Sequence, residues 1–275
     1  MNTDAPKHDH RLIRKSINFL PKSARGHAVA FIGEFAGTFF FLFFAFSGAQ
    51  TGNVAANPNA GDTVMTKATT FQPAQLLYIS LAFGFSLAVN AWVYFRISGG
   101  LFNPAVTFGM VLIGAITIVR GILLAIAQVL GAIVAAYVVQ ALFTGKLNVS
   151  TTLSRTTTVA QGVIIEMLLT AQLVFTIFML AAEKHVGNFI APVGIGLSLF
   201  IAELTGVFWT GASLNPARSL APEVALADFN SEQWVYWVGP LAGSVLAVLL
   251  LKLIKALEYE TANPDKPSSS RGEQV

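Results

Sequence analysis

The 275-residue chain contains no cysteine. Disulfides, thiolate metal sites and cysteine nucleophiles are therefore excluded. Charge is scarce as well: Asp, Glu, Lys and Arg make up 11% of residues, where a typical soluble chain carries about 25%. No His/Ser/Asp constellation, metal-ligand set or phosphate loop stands out, so neither an enzyme nor a cofactor or metal site is expected. What the chain has in quantity is apolar: 54% hydrophobic residues, with 22 phenylalanines. A soluble domain would expose too much of this, whereas a chain surrounded by lipid would not. The net charge of +3 lies mostly toward the two ends. It reads as membrane topology and attraction to lipid headgroups, not as nucleic-acid binding.

Apolar runs of spanning length occur at about 27–49, 73–95, 121–142, 160–182, 190–209 and 233–256, against the ~20 residues that a membrane-crossing helix needs. The first run follows a basic polar stretch and is long enough to span, which reads as a retained anchor and not a cleaved leader. Two further apolar pieces, about 103–113 and 215–223, are too short to cross. Each opens at an Asn-Pro, a pair suited to starting a helix: Asn caps it and Pro takes its first position. They fit re-entrant half-helices, which membranes tolerate only where protein or a water-filled cavity surrounds them.

The expected fold is thus an all-α membrane protein with six transmembrane helices and two re-entrant half-helices. Its expected parts are an N-terminal tail (1–26), a first repeat of three spans (27–142), a connecting loop (143–159), a second repeat (160–256) and a polar C-terminal tail (257–275). Six spans put both ends on one side. That side holds thirteen Lys and Arg: six before the first span, then Arg96, Arg120, Lys184, Lys252, Lys255, Lys266 and Arg271. The other side holds three, Lys67, Lys146 and Arg155, with Arg218 set aside as intramembrane. The excess places both termini in the cytoplasm. Asn148-Val149-Ser150 then falls outside as a candidate glycosylation sequon.

An internal repeat organises the whole. An offset of 112 maps Gly84 to Gly196, Ser86 to Ser198, Gly99 to Gly211, Asn103 to Asn215 and Gly131 to Gly243. Glu34 and Thr38 recur as Glu166 and Thr170 at an offset of 132, the longer first outer loop absorbing the difference. Each repeat has an odd number of spans, so the second is inverted relative to the first. The half-helices then enter from opposite faces and meet near the midplane. Their N-termini each carry roughly half a positive charge. Asn103 and Asn215 cap those ends and present amide N–H groups to a passing solute, and the paired positive ends oppose a cation. Glu34 and Glu166, costly inside a span, are read as acceptors for the non-helical backbone of the re-entrant loops. Gly33/Gly37 and Gly239/Gly243 have the spacing that lets helices approach closely.

The motifs Asn103-Pro104-Ala105 and Asn215-Pro216-Ala217-Arg218-Ser219, the inverted repeat and the Glu-xxx-Thr of spans one and four closely resemble the aquaporin family. The resemblance covers about 27–256, and Lys15 to Lys22 is weakly similar to the tails of fungal members. It implies a homotetramer in the plasma membrane with one pore per subunit, passing water in single file down an osmotic gradient. It also implies a selectivity filter at Phe83, Glu203, Ala212 and Arg218. Phe83 and Arg218 match the water-selective pattern, and Ser219 agrees, since glycerol facilitators usually have Asp there. Ala212 stands where animal members often have cysteine, so mercurial block is not expected.

Two positions depart from the family. Leu101-Phe102 precedes the first Asn where His-Leu or His-Phe is usual, which is expected to alter packing at the inner vestibule. Glu203 replaces the usual His. Facing Arg218 across the filter, it is expected to pair with it and restrict flow or remove the filter's positive charge. The alternative turns it up into the outer mouth, solvated. A pH-dependent permeability would support pairing, since the carboxylate can be protonated and the arginine cannot. Ser16, Ser23 and Ser98 are candidate gating serines, and the N-terminal tail a candidate plug. The expected function is passive permeation of water, with hydrogen peroxide as a similar solute. The rivals are a broader small-solute or ion pore and a poorly conducting adhesion or scaffold protein. A secondary transporter is disfavoured, because the buried acids read as structural.

Overall fold

The computed structural model describes residues 21–56, 72–183 and 186–262. Ser16, Lys67, Lys184, Lys266 and Arg271, with residues 1–20 and 263–275 as a whole, lie outside the described residues. The α-helices are α1 (Lys22–Ala56), α2 (Pro73–Tyr94), α3 (Pro104–Leu112), α4 (Ile118–Leu142), α5 (Val159–Ile177), α6 (Ala191–Thr210), α7 (Pro216–Leu226) and α8 (Val235–Ala256). Helix α5 ends in a π turn, Phe178–Ala182, and short 3-10 turns precede α6 and follow α8. Six of the helices are long and apolar enough to cross a membrane, while α3 and α7, of 9 and 11 residues, are not. The chain is a multi-pass membrane protein. Side chains such as Phe44, Ile122 and Leu249 stand exposed on its outer face, where lipid takes the place of a core.

Helix α1 is longer than its apolar run. Its 35 residues extend about 50 Å at 1.5 Å per residue, well beyond a hydrocarbon core of ~30 Å. No proline or paired glycine interrupts the flanks of the run, so helical propensity carries the element past the hydrophobic boundary at both ends. Two residues of the extension at its far end are used: Gln50 donates to the carbonyls of Thr144 and Lys146, and Asn53 to that of Asn148. They fasten the long loop before α5.

The repeat is a physical symmetry. Helix α1 packs along α4 as α5 packs along α8, and α2 and α6 cross at the centre. Gly131 lies so close to the Phe35 carbonyl that a Cβ there would overlap it, and Gly243 lies identically on the carbonyl of Met167. At the α2–α6 crossing, a Cβ on Gly84 would sit 2.9 Å from the Gly196 carbonyl, and one on Gly196 2.6 Å from that of Gly84. Gly239 and Gly243 thus admit a neighbouring helix, as their spacing predicts. Gly33 and Gly37 do something else: they make room for the loop before α3, Gly33 against Ser98 and Gly37 against the Phe102 ring. Sequence spacing reports closeness but not whether a helix or a loop fills the space.

Candidate functional site

Each re-entrant loop hangs on one buried carboxylate. Glu34, fully buried on α1, accepts from the amides of Leu101 (3.0 Å) and Phe102 (2.8 Å), from the Ser98 hydroxyl (2.7 Å) and from Gln128 (2.8 Å). Glu166 on α5 does the same for the second loop, accepting from Ser213 (2.9 Å), Leu214 (2.8 Å) and the Thr210 hydroxyl (2.6 Å). Backbone that has left its helix must find partners inside the protein at membrane depth, and the carboxylates supply them. They also hold two non-glycine residues in left-handed backbone, Phe102 at φ 51° and Leu214 at φ 52°, a conformation that costs roughly 1–2 kcal/mol each. The expected scaffold role of Glu34 and Glu166 fits this geometry.

The loops position the asparagines. Asn103 caps α3, its Oδ1 accepting from the Ala105 amide at 2.8 Å, and Pro104 takes the first helical turn. Asn215 caps α7 through Ala217 (3.0 Å) and Arg218 (3.3 Å), followed by Pro216. Each asparagine also donates across the pseudo-two-fold axis: Asn103 Nδ2 to the Leu214 carbonyl at 2.7 Å, Asn215 Nδ2 to that of Phe102 at 2.9 Å. The two half-helix tips are therefore locked to one another. An amide has two N–H groups, so each Nδ2 retains one for a passing solute. Both asparagines border a cavity of about 230 Å3, lined mainly by apolar side chains. The cavity runs from Ser98, Ile116 and Ala181, at the end that the charge count assigns to the cytoplasm and is here termed inner, to Phe83 and Arg218 at the outer end.

Of the four positions expected to form a filter, Phe83 and Arg218 come together at that outer end. Arg218 donates from Nη1 to the Val149 carbonyl at 2.6 Å, and more weakly from Nη2 to that of Gly211 at 3.5 Å. Its guanidinium carbon stands 4.8 Å from the Phe83 ring centre and 5.5 Å from that of Phe46, both within cation–π range. At that separation the Phe83 ring and the guanidinium are in contact. Ala212 occupies left-handed backbone at φ 44°. Phe83, Glu203, Ala212 and Arg218 are 1%, 0%, 0% and 4% exposed.

Glu203 corrects both sequence expectations. It is wholly buried, so it is not solvated in an outer mouth. Nor does it pair directly with Arg218: both carboxylate oxygens, and Arg218 Nε, lack any hydrogen-bond partner.

The remaining candidates are dispersed. Ser98 gives its hydroxyl to Glu34, so a phosphate there would set a dianion against a buried carboxylate and cost the loop its anchor. Ser23 is exposed in the first turn of α1. Asn148 is half-buried, with its backbone held by Gln50 and Asn53. Leu101 lines the cavity, and Phe102 is buried against Phe41 and Tyr94. Sequence reasoning missed Gln128 as a fourth donor to Glu34, and Val149 as the anchor of Arg218. The first had a signal, a lone amide in an apolar run. The second had none, because a backbone carbonyl carries no residue identity. Outside the spans, Glu183 and Lys255 pair at 2.6 Å. Burial, then the charge of Glu183, raises the Tyr259 phenol above its ordinary value.

Two capped half-helices joined tip to tip along one cavity leave few families to consider, and comparison with known proteins settles which. The family model described as Major intrinsic protein matches residues 23–251.

The chain belongs to the major intrinsic protein family.

Among characterised sequences it is similar to Aquaporin-7 of Botryotinia fuckeliana (strain B05.10), 59% identical over 93% of this chain and 56% of that protein. It is also similar to Aquaporin-1 of Gibberella zeae, 49% identical over 87% of this chain and 73% of that protein. The chain spans about half the length of several of the relatives it matches, 56% and 46% of two of them. The X-ray structure of the aquaglyceroporin from Plasmodium falciparum shares its fold, with a TM-score of 0.69 over 86% of this chain and 99% of that one at 20% identity. The fold and the channel family are thus established together.

Proposed function

We propose that this family member is a pore for passive osmotic water permeation, with hydrogen peroxide as a second small neutral solute. The observation that carries the reading is the asparagine junction. Two amides, one from each half-helix, border a single apolar cavity and keep one N–H each for the solute. A water there accepts from both amides and cannot relay a proton through them, and the two positive helix ends raise the energy of a cation. The Phe83–Arg218 approach favours water over glycerol on width alone. Both termini face the cytoplasm of a plasma membrane in this reading, on the asymmetry of Lys and Arg. The apolar outer faces of the helices serve a homotetramer as well as lipid.

Osmotic shrinkage of vesicles holding the full chain tests it. Water flow above bare lipid is expected, with glycerol and protons at the lipid level. Glycerol flow comparable to that of water would favour the broader-solute pore. Water at the lipid level in the native chain and in every folded filter variant would favour an adhesion or scaffold role.

A further inference from the structure

The segment between α4 and α5, residues 143–158, has neither helix nor strand. A connection of that length without structure of its own is uncommon in a folded chain and is usually functional. It also stands outside the symmetry: it joins the two repeats and occurs once, so the repeat supplies no counterpart at the inner end. Its backbone groups must find partners elsewhere. Helix α1 offers them from the turns that follow its apolar run. Gln50, itself buried, donates to the carbonyls of Thr144 (3.4 Å) and Lys146 (3.2 Å) and accepts from the Asn148 amide at 2.7 Å. Asn53 donates to the Asn148 carbonyl at 2.6 Å, and Gln75 of α2 orients it by donating to Asn53 Oδ1 at 2.6 Å. Both backbone groups of Asn148 are therefore tied to α1. The next carbonyl, that of Val149, turns instead to Arg218 and accepts from Nη1 at 2.6 Å. Two residues on, the Thr151 hydroxyl donates to Ser219 Oγ at 2.8 Å, so the same segment holds the turn of α7 that carries Arg218. Val149 and Thr151 are buried, which keeps water from competing for these bonds.

We propose that Gln50 and Asn53 are positioning residues for the pore: by fixing the backbone of Asn148 they aim the Val149 carbonyl at Arg218 and hold its guanidinium at the outer end of the cavity. The proposal deepens the water-pore reading above and rests on it for its effect on transport. Arg218 borders the cavity, whereas Gln50 and Asn53 are not among its lining residues, so they act through Arg218 and not on the solute. Without the Val149 carbonyl, the guanidinium keeps the 3.5 Å contact to Gly211 and the Phe83 and Phe46 rings. None of these fixes its direction as a short bond from a charged donor does. The guanidinium then takes up further positions, and the passage beside Phe83 loses its constant width. The overhang of α1 is used, in this account, to hold a loop that the symmetric fold does not provide.

The test uses vesicles carrying equal amounts of the full native chain, Gln50→Leu, Asn53→Ala, Arg218→Val and the double variant Gln50→Leu/Arg218→Val, with two readouts. The first is the rate at which phenylglyoxal labels Arg218, measured by mass spectrometry against the exposed Arg155. Gln50→Leu is expected to raise it about tenfold and Asn53→Ala about threefold, with Arg155 unchanged. The second is the ratio of glycerol to water permeability from stopped-flow light scattering. That ratio should rise about tenfold in Gln50→Leu, while the double variant should match Arg218→Val within about twofold, because a residue acting through Arg218 then has nothing left to act on. Native labelling of Arg218 in both Gln50→Leu and Asn53→Ala overturns the proposal and leaves the water-pore reading standing. A rise in Gln50→Leu that adds in full to that of Arg218→Val also overturns it, since the loop would then act on the pore by itself. Faster labelling of Arg218, with lipid-level water flow in the native chain, supports the positioning role and overturns the water-pore reading alone. Asn53→Ala, which removes a single bond to the loop, carries the labelling test if Gln50→Leu does not fold.

Discussion

The two ends of the pore are built from the same positions and differ in what stands there. At the offset of 112, Phe83, Glu203, Ala212 and Arg218 of the outer end correspond to Ile195, Ala91, Gly100 and Val106 of the inner end. All four inner residues line the open cavity, and at the outer end Phe83 and Arg218 border it while Glu203 and Ala212 are wholly buried. The scaffolding behind them is shared: one buried carboxylate per loop, one asparagine cap per half-helix, one left-handed residue before each asparagine. The symmetric fold therefore offers two places to make a filter. A ring, a carboxylate and a guanidinium stand at one end, against an aliphatic chain, a methyl and a valine at the other, and in the proposed reading only the first serves as a filter.

Substitutions that disturb the shared scaffold should have the largest effects. Glu34→Ala leaves four donors without their acceptor and Glu166→Ala three, at about 1–3 kcal/mol for each buried group. Neither variant is expected to elute as a single folded species in detergent, and Glu34→Ala should be the worse of the two. A monodisperse Glu34→Ala with native thermal unfolding would show that the loop does not depend on its carboxylate.

Next come changes that make the ends alike. Ala91→Phe sets a ring on the inner wall opposite the counterpart of Phe83, and water flow should drop about tenfold, with unfolding little changed because the residue borders a cavity. Unaltered flow would mean that the inner end is wider than its lining suggests. The converse change, Phe83→Ala, removes the wall on which Arg218 rests. Glycerol uptake, at lipid level in the native chain, should then become measurable in a light-scattering assay; continued exclusion would assign the width to Glu203 alone.

Smaller effects separate the loops. Gly100 has φ 65° and Ala212, its counterpart, φ 44°. Gly100→Ala should cost about 1–2 kcal/mol for the left-handed backbone, somewhat more because its Cβ would lie 3.2 Å from the Ala91 carbonyl. Ala212→Gly should be neutral or slightly stabilising, read as a shift in unfolding midpoint. The least effect is expected at the inner surface, where the Lys255–Glu183 pair is half-exposed on the lysine side. Lys255→Ala should change stability by less than about 1 kcal/mol.

Much of this was legible in the residues. The length of the apolar runs gave six spans, and the two Asn-Pro starts gave the half-helices, because a helix cap is a local event that depends on a few neighbouring residues. Glu34 and Glu166 announced themselves as acids in apolar runs. The extent of α1 was not legible, since hydropathy marks where lipid ends and not where a helix does. The roles of Gly33 and Gly37 were misread for a related reason: a missing Cβ marks closeness without naming the neighbour. Glu203 showed the limit most plainly, as its identity raised the question and its spacing placed it in the filter, yet neither could say where its oxygens would be.

The sequence by itself determined the class, the inverted repeat and the capped half-helices, all consequences of composition, period and local chemistry. The tertiary structure alone decided how the filter is held. Val149 and Gly211, distant or anonymous in the sequence, fix Arg218 through backbone carbonyls, and the packing of α6 against the second loop buries Glu203 without a partner. Such contacts depend on which surfaces meet once the helices have closed around one another, and no local pattern encodes them.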